Sequence, residues 1–89
     1  MDIGIGSIVC SKAGRDKGNF FVVVSVEGAY AYLCDGDIRK FDKPKKKKMK
    51  HLALTNEICG AIKEKLNSSG KVSNAELRRA LAEFCQKDI

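Results

Sequence analysis

The residues best placed to do chemistry are cationic. Lys12, Arg15 and Lys17 stand two or three apart in the stretch Ser11-Lys12-Ala13-Gly14-Arg15-Asp16-Lys17-Gly18. A guanidinium offers a phosphate two parallel N–H groups, and an ammonium acts as a mobile point charge. Gly14 and Gly18 lack a Cβ, so the chain there can turn sharply and a phosphate can come close to the backbone. For Gly14 and Gly18 a tight turn between strands is a stronger reading than direct phosphate contact, and Arg15 has an acid, Asp16, beside it. The chemistry this spacing offers is anion binding.

A second basic element lies downstream. Between Arg39 and His51 the basic residues are Arg39, Lys40, Lys43, Lys45, Lys46, Lys47, Lys48 and Lys50, opposed only by Asp42. These eight exceed the net charge of +6 for the whole chain, so the remainder is close to neutral. Charge concentrated in this way favours a polyanionic partner over a merely soluble surface. Lysines neutralise phosphates and release counterions but read little sequence. Five engaged phosphates would give log K against log salt a slope of roughly −3.5 to −4.5. Were the partner a nucleic acid, sequence or shape preference would then come from its fold or from exposed bases. Phe20, Phe21, Tyr30, Tyr32 and Phe41 could stack on such bases. In a small core the phenylalanines read as packing residues, while Tyr30 and Tyr32 suit either role.

No catalytic or metal constellation accompanies these cations. His51 is the single histidine and has no cysteine or carboxylate at ligand spacing. Cys10, Cys34, Cys59 and Cys85 are too far apart for a zinc knuckle or a dithiol redox site. They read as reduced, small hydrophobes of a cytosolic protein. Asp35 and Asp37 flank Gly36, which is turn chemistry. Ser68 and Ser69 have no base near them in sequence. The residues therefore predict no enzyme, no metal and no cofactor. The start of the chain is too short and polar for a signal peptide, and no run of about 18 apolar residues could span a membrane.

The elements that must hold the cations are short. At 89 residues the chain is one small domain or a domain with an appendage, burying about 60–65% of its unfolded surface. Strands are expected at Ile8 to Ser11, Phe20 to Val26, Tyr30 to Cys34, Ile38 to Phe41 and Met49 to Leu54. The second is a continuous apolar run, suited to a strand covered on both faces. Asp35-Gly36 reads as a hairpin turn. Lys43 to Lys48 reads as a loop, because like charges repel and Pro44 cannot donate to a ladder. Five short strands joined by tight turns predict a mainly β fold, a small SH3-like barrel over residues 1–55. After Leu54 the period changes. Ile58, Ile62 and Leu66 fall on one helical face, and Asn67-Ser68-Ser69-Gly70 ends that helix. Ser73 and Glu76 match a capping box opening a second helix, whose apolar face is Leu77, Ala80, Leu81, Phe84 and Cys85. Residues 56–89 thus form two C-terminal amphipathic helices, an α appendage. Their apolar faces could meet each other, the barrel or a partner.

Gly6-Ser7-Ile8-Val9, the basic glycine loop, Phe21-Val22-Val23-Val24, Asp35-Gly36, Lys43-Pro44-Lys45 and Lys50-His51-Leu52 occur in that order. As a set they resemble the KOW domain of small bacterial RNA-binding proteins. That domain is similar in turn to KOW-containing large-subunit ribosomal proteins of archaea and eukaryotes. The resemblance covers about residues 4–54 and implies an SH3-like barrel that binds RNA, above all ribosomal RNA or the ribosome. The helical tail lies outside it. A protein-interaction adaptor, using the helices to engage a translation or transcription factor, is the alternative. Burial of Ile58, Ile62, Leu77, Leu81 and Phe84 within the monomer would weaken it. Pro44 to Lys48 also has the composition of a nuclear-import address, a common and weak match.

Overall fold

A computed structural model describes residues 3–87 of the chain. The chain order is β1 (Ser7–Ser11), β2 (Phe20–Glu27), β3 (Tyr30–Cys34), β4 (Lys45–Lys48), a 3₁₀ turn (Met49–His51), β5 (Leu52–Ile58), α1 (Gly60–Ser68) and α2 (Asn74–Lys87). The strands form one antiparallel sheet in the order β4-β3-β2-β1-β5. β4 and β5 are its two edges, so the ladder does not close into a continuous barrel.

The apolar run of β2 explains how so small a sheet acquires two cores. Successive side chains of a strand point to opposite faces. Phe21 and Val23 join Val9, Ala31, Leu33 and Leu52 in one cluster, flanked by Ile3, Met49 and Leu54. Val22 and Val24 join Ile8, Cys34, Ile62, Val72, Leu77 and Ala80 in the other. The first cluster draws on β1, β2, β3 and β5 and on no helix. The second lies between the sheet and both helices. It is the sheet that the helices pack on: they cover one of its faces. Ile62 and Leu77 are buried and Leu81 and Phe84 half-buried, the last with its ring 5.1 Å from that of Phe20. The apolar face that an adaptor would offer a partner is thus mostly occupied within the chain.

Two elements depart from expectation. Ile38 to Phe41 is not a strand. Asp35 folds the chain after β3 back on itself, its Oδ1 accepting from the amides of Asp37 at 2.9 Å and Arg39 at 2.8 Å. This side-chain-driven turn competes with ladder pairing. The fourth strand is the lysine run itself, in register with β3 from Leu33↔Lys45 to Tyr30↔Lys48. An edge strand tolerates what a central one does not. Lys46 and Lys48 reach water, and Pro44 sits just outside the ladder. The second departure is at the strand–helix switch. Met49 to His51 is a 3₁₀ turn, and β5 runs on to Ile58, which is 58% exposed. Ile58 therefore belongs to a strand and not to the first helical face.

The helix ends follow the sequence signals. Gly70 takes φ +75° and its amide bonds the carbonyl of Leu66 at 3.0 Å, closing α1. The capping box forms. The amide of Glu76 donates to Ser73 Oγ at 3.1 Å, and the amide of Ser73 donates to Glu76 Oε2 at 3.3 Å. Lys65 reaches across from α1 to bond the same carboxylate. That bond, with the one from Ser73, holds Glu76 below the usual carboxylate range.

Candidate nucleic-acid interface

The β1–β2 loop is built on two left-handed glycines. Gly14 has φ +78° and Gly18 φ +89°. The amide of Lys17 bonds Gly14 O at 3.2 Å, and that of Gly18 bonds Ser11 O at 2.9 Å. Both glycines are spent on turning the chain, as a tight connection requires. The turn leaves Lys12, Arg15 and Lys17 exposed, with no ion pair or side-chain hydrogen bond among the described residues. Asp16 points the other way. It is buried and takes Arg39 as its partner, not Arg15, with Arg39 Nη2 3.3 and 3.4 Å from its two oxygens.

The lysine run is sorted by its strand. Period-two alternation sends Lys45 and Lys47 to the face of Leu33 and Ala31, and Lys46 and Lys48 to the face of Tyr32 and Tyr30. Lys47 Nζ donates to Ser11 Oγ at 2.7 Å and to Ala13 O at 2.6 Å. Lys46 Nζ lies 4.6 Å from the centre of the Tyr30 ring and 3.7 Å from Glu27 Oε1. Lys45 and Lys48, like Lys40, Lys43 and Lys50, have no ion pair or side-chain hydrogen bond among the described residues. Thus two of the expected contact residues, Arg39 and Lys47, are engaged inside the protein. Neither role is legible in the sequence, because both partners lie far away along the chain.

Those two engagements gather the basic segments. Lys47 joins β4 to the β1–β2 loop. Arg39 joins the β3–β4 connection, which carries Lys40 and Lys43, to the same loop through Asp16. A bond from the amide of Lys12 to His51 O, 2.8 Å, joins the 3₁₀ turn that carries Lys50. Three consecutive stretches, the β3–β4 connection, β4 and the 3₁₀ turn, all distant in sequence from the loop, thereby converge on Lys12 to Gly18. The exposed Lys40, Lys43, Lys48 and Lys50 lie on the stretches so joined.

Other chemistry finds little here. Among the described residues no three His, Cys, Asp or Glu side chains gather as a metal site requires, and no helix is long and apolar enough to cross a membrane. All four cysteines are free. Cys34 is buried, and burial, helped by the charges of Asp35 and Asp42, pushes its thiol up to about 12. Cys85 is exposed, so it is not the core hydrophobe expected of it. Set against known proteins, the chain matches no family model and no curated protein at a significant level.

Proposed function

We propose that this chain is an RNA-binding module of the KOW kind, acting on ribosomal RNA or at the ribosome in the cytoplasm, without catalysis or cofactor. The observation that carries the reading is the convergence of three basic segments on the β1–β2 loop through Lys47, Arg39 and the Lys12–His51 bond. Fixed cations lose less freedom on binding than a floppy lysine tail would. The strand order β4-β3-β2-β1-β5, with a 3₁₀ turn before β5 and a helix-free core on one face, supports an SH3-like architecture. It also supports the KOW resemblance, whose glycine loop joins the first two strands of such a sheet.

The contact set is Lys12, Arg15, Lys17, Lys40, Lys43, Lys45, Lys46, Lys48 and Lys50. Arg39 and Lys47 hold the surface in shape. The test is fluorescence anisotropy of a labelled ribosomal RNA stem-loop, against duplex DNA of equal length, over a range of salt. The expected result is tighter RNA binding with a steep salt slope that flattens when Lys12, Arg15 and Lys17 become alanine. Binding that is weak and equal for RNA and DNA would leave only non-specific electrostatics and defeat the proposal.

A further inference from the structure

The face of β2, β3 and β4 that carries Tyr30 and Tyr32 is only partly covered by the helices. A bulge in β2, where the register shifts between Val23 and Ser25, turns Val24 and Ser25 to the same side. Beyond it the ladder sets up two cross-strand rows, Ser25–Tyr32–Lys46 and Glu27–Tyr30–Lys48. Directly opposed residues share a face, so the two half-buried tyrosine rings stand side by side between one hydroxyl and one carboxylate on β2 and two lysines on β4. Tyr32 also walls a cleft of about 360 Å³, lined with Val24, Phe41, Pro44, Leu66 and Gly70.

We propose that the rows Ser25–Tyr32–Lys46 and Glu27–Tyr30–Lys48, with the cleft beside Tyr32, form a stacking platform for unpaired RNA bases. The inference rests on the RNA-binding reading above and narrows it to loops, bulges and ends. A base is a flat apolar plate with a charged phosphate at its side. The platform offers an aromatic face with an ammonium at its side. Bases inside a duplex have both faces covered by their neighbours and cannot use it.

Lys46 is the moving part. Its ammonium sits over Tyr30, 4.6 Å from the ring centre and 6.0 Å from that of Tyr32, and is drawn there also by Glu27. An exposed cation–π contact is weaker than the stacking of a base on an aromatic ring. A base therefore displaces Lys46 from Tyr30 and leaves its ammonium free to meet the phosphate. Glu27, which also accepts from Tyr32 Oη at 3.3 Å, opposes this step by holding Lys46 and repelling the backbone. It is the one acid in the two rows.

The chain has two tyrosines and no tryptophan, so its intrinsic emission reports on this platform alone. The experiment follows tyrosine emission and the anisotropy of labelled RNA together, with a short single-stranded RNA and with the same sequence paired in a duplex. Single-stranded RNA is expected to quench the emission as it saturates, and the duplex to leave it unchanged. Tyr30→Leu should weaken single-strand binding about tenfold, within the range for loss of one stacked base, and leave duplex binding alone. Glu27→Gln, on the surface and harmless to folding, should tighten single-strand binding several-fold. RNA that binds by anisotropy without quenching, with parent-like affinity in both variants, overturns the platform and leaves the basic-loop reading standing. Equal quenching by the duplex overturns it too. No binding of either RNA sinks the RNA reading itself.

Discussion

Two lysines one residue apart do different work, and their neighbours explain why. Lys47 gives two short hydrogen bonds to the β1–β2 loop, while Lys48 faces water. Hydrogen bonds from charged groups contribute about 1.5–3 kcal/mol when partly shielded, whereas exposed substitutions without partners stay within about 0.5 kcal/mol. Lys47→Ala should therefore lower stability to urea by about 1–3 kcal/mol, and Lys48→Ala should leave the midpoint where it was. Equal midpoints would mean that Lys47 contributes nothing structural. A quadruple alanine change across the run would confound folding with binding, so Lys45, Lys46 and Lys48 are the informative set. Cys34 gives a pH dependence of known sign. In the folded chain its thiol holds its proton up to about 12, against 9.0 for an ordinary thiol, chiefly because it is buried. Unfolding releases it to ionise near 9.0, so its contribution to stability is complete below that pH and declines as pH rises toward 12. Urea titrations from pH 8 to 11 should show a decline that Cys34→Ala makes shallower. At neutral pH a thiol reagent should modify exposed Cys85 first and leave Cys34 untouched until the protein unfolds.

Elements were legible where local chemistry acts alone. The first three strands, the Ser73–Glu76 capping box and the Gly70 terminator follow from nearest neighbours, and each stands where the residues predict. β4 was not legible, because Lys45 to Lys48 has no apolar alternation; its strand character comes from pairing with β3 and from being an edge. Ile38 to Phe41 misled in the opposite sense, since the Asp35 side chain captured the amides that a strand would have used. The basic residues of the site were legible as types, but Arg39 and Lys47 turned out to be braces through partners far off in sequence. The same β3–β4 connection is gripped by α2. Arg78 Nη1 donates to Gly36 O at 2.7 Å, and Asn74 Oδ1 accepts from the amide of Phe41 at 2.8 Å. Gly36 takes φ +80°, and a Cβ there would lie 2.2 Å from Asn74 O, a backbone atom that cannot step aside. Gly18 has a similar φ of +89° but open space around it. Gly36→Ala should thus cost well over the roughly 1 kcal/mol of left-handed strain expected for Gly18→Ala. Thermal melts of the two variants check this, and similar melting temperatures would show that α2 yields at this contact.

For the whole molecule, the question is whether the strands form a unit to which helices were added, or whether the helices complete the fold. One face of the sheet needs no helix: Val9, Phe21, Val23, Leu33 and Leu52 are buried by strands and the 3₁₀ turn. The other face has Ile8, Val22, Val24 and Cys34 almost wholly buried, and what covers them is Ile62, Val72, Leu77 and Ala80. A chain cut after Ile58 would bare four core side chains at once, each worth roughly 1–3 kcal/mol when buried. Small domains hold only about 5–15 kcal/mol in total, so this loss is comparable with the whole stability. It would also release the β3–β4 connection from Asn74 and Arg78, and with it the strand that carries the lysines. The expected outcome is that residues 1–58 show no cooperative thermal transition, bind a hydrophobic dye and lack the salt-sensitive RNA binding proposed for the full chain. A sharp transition with RNA binding retained would make the sheet self-sufficient, and the helices a separate device with a task of their own. If the transition survives and only RNA affinity falls, the helices serve the basic surface by bracing the β3–β4 connection, and burial on the helical face is less costly to lose than its area implies.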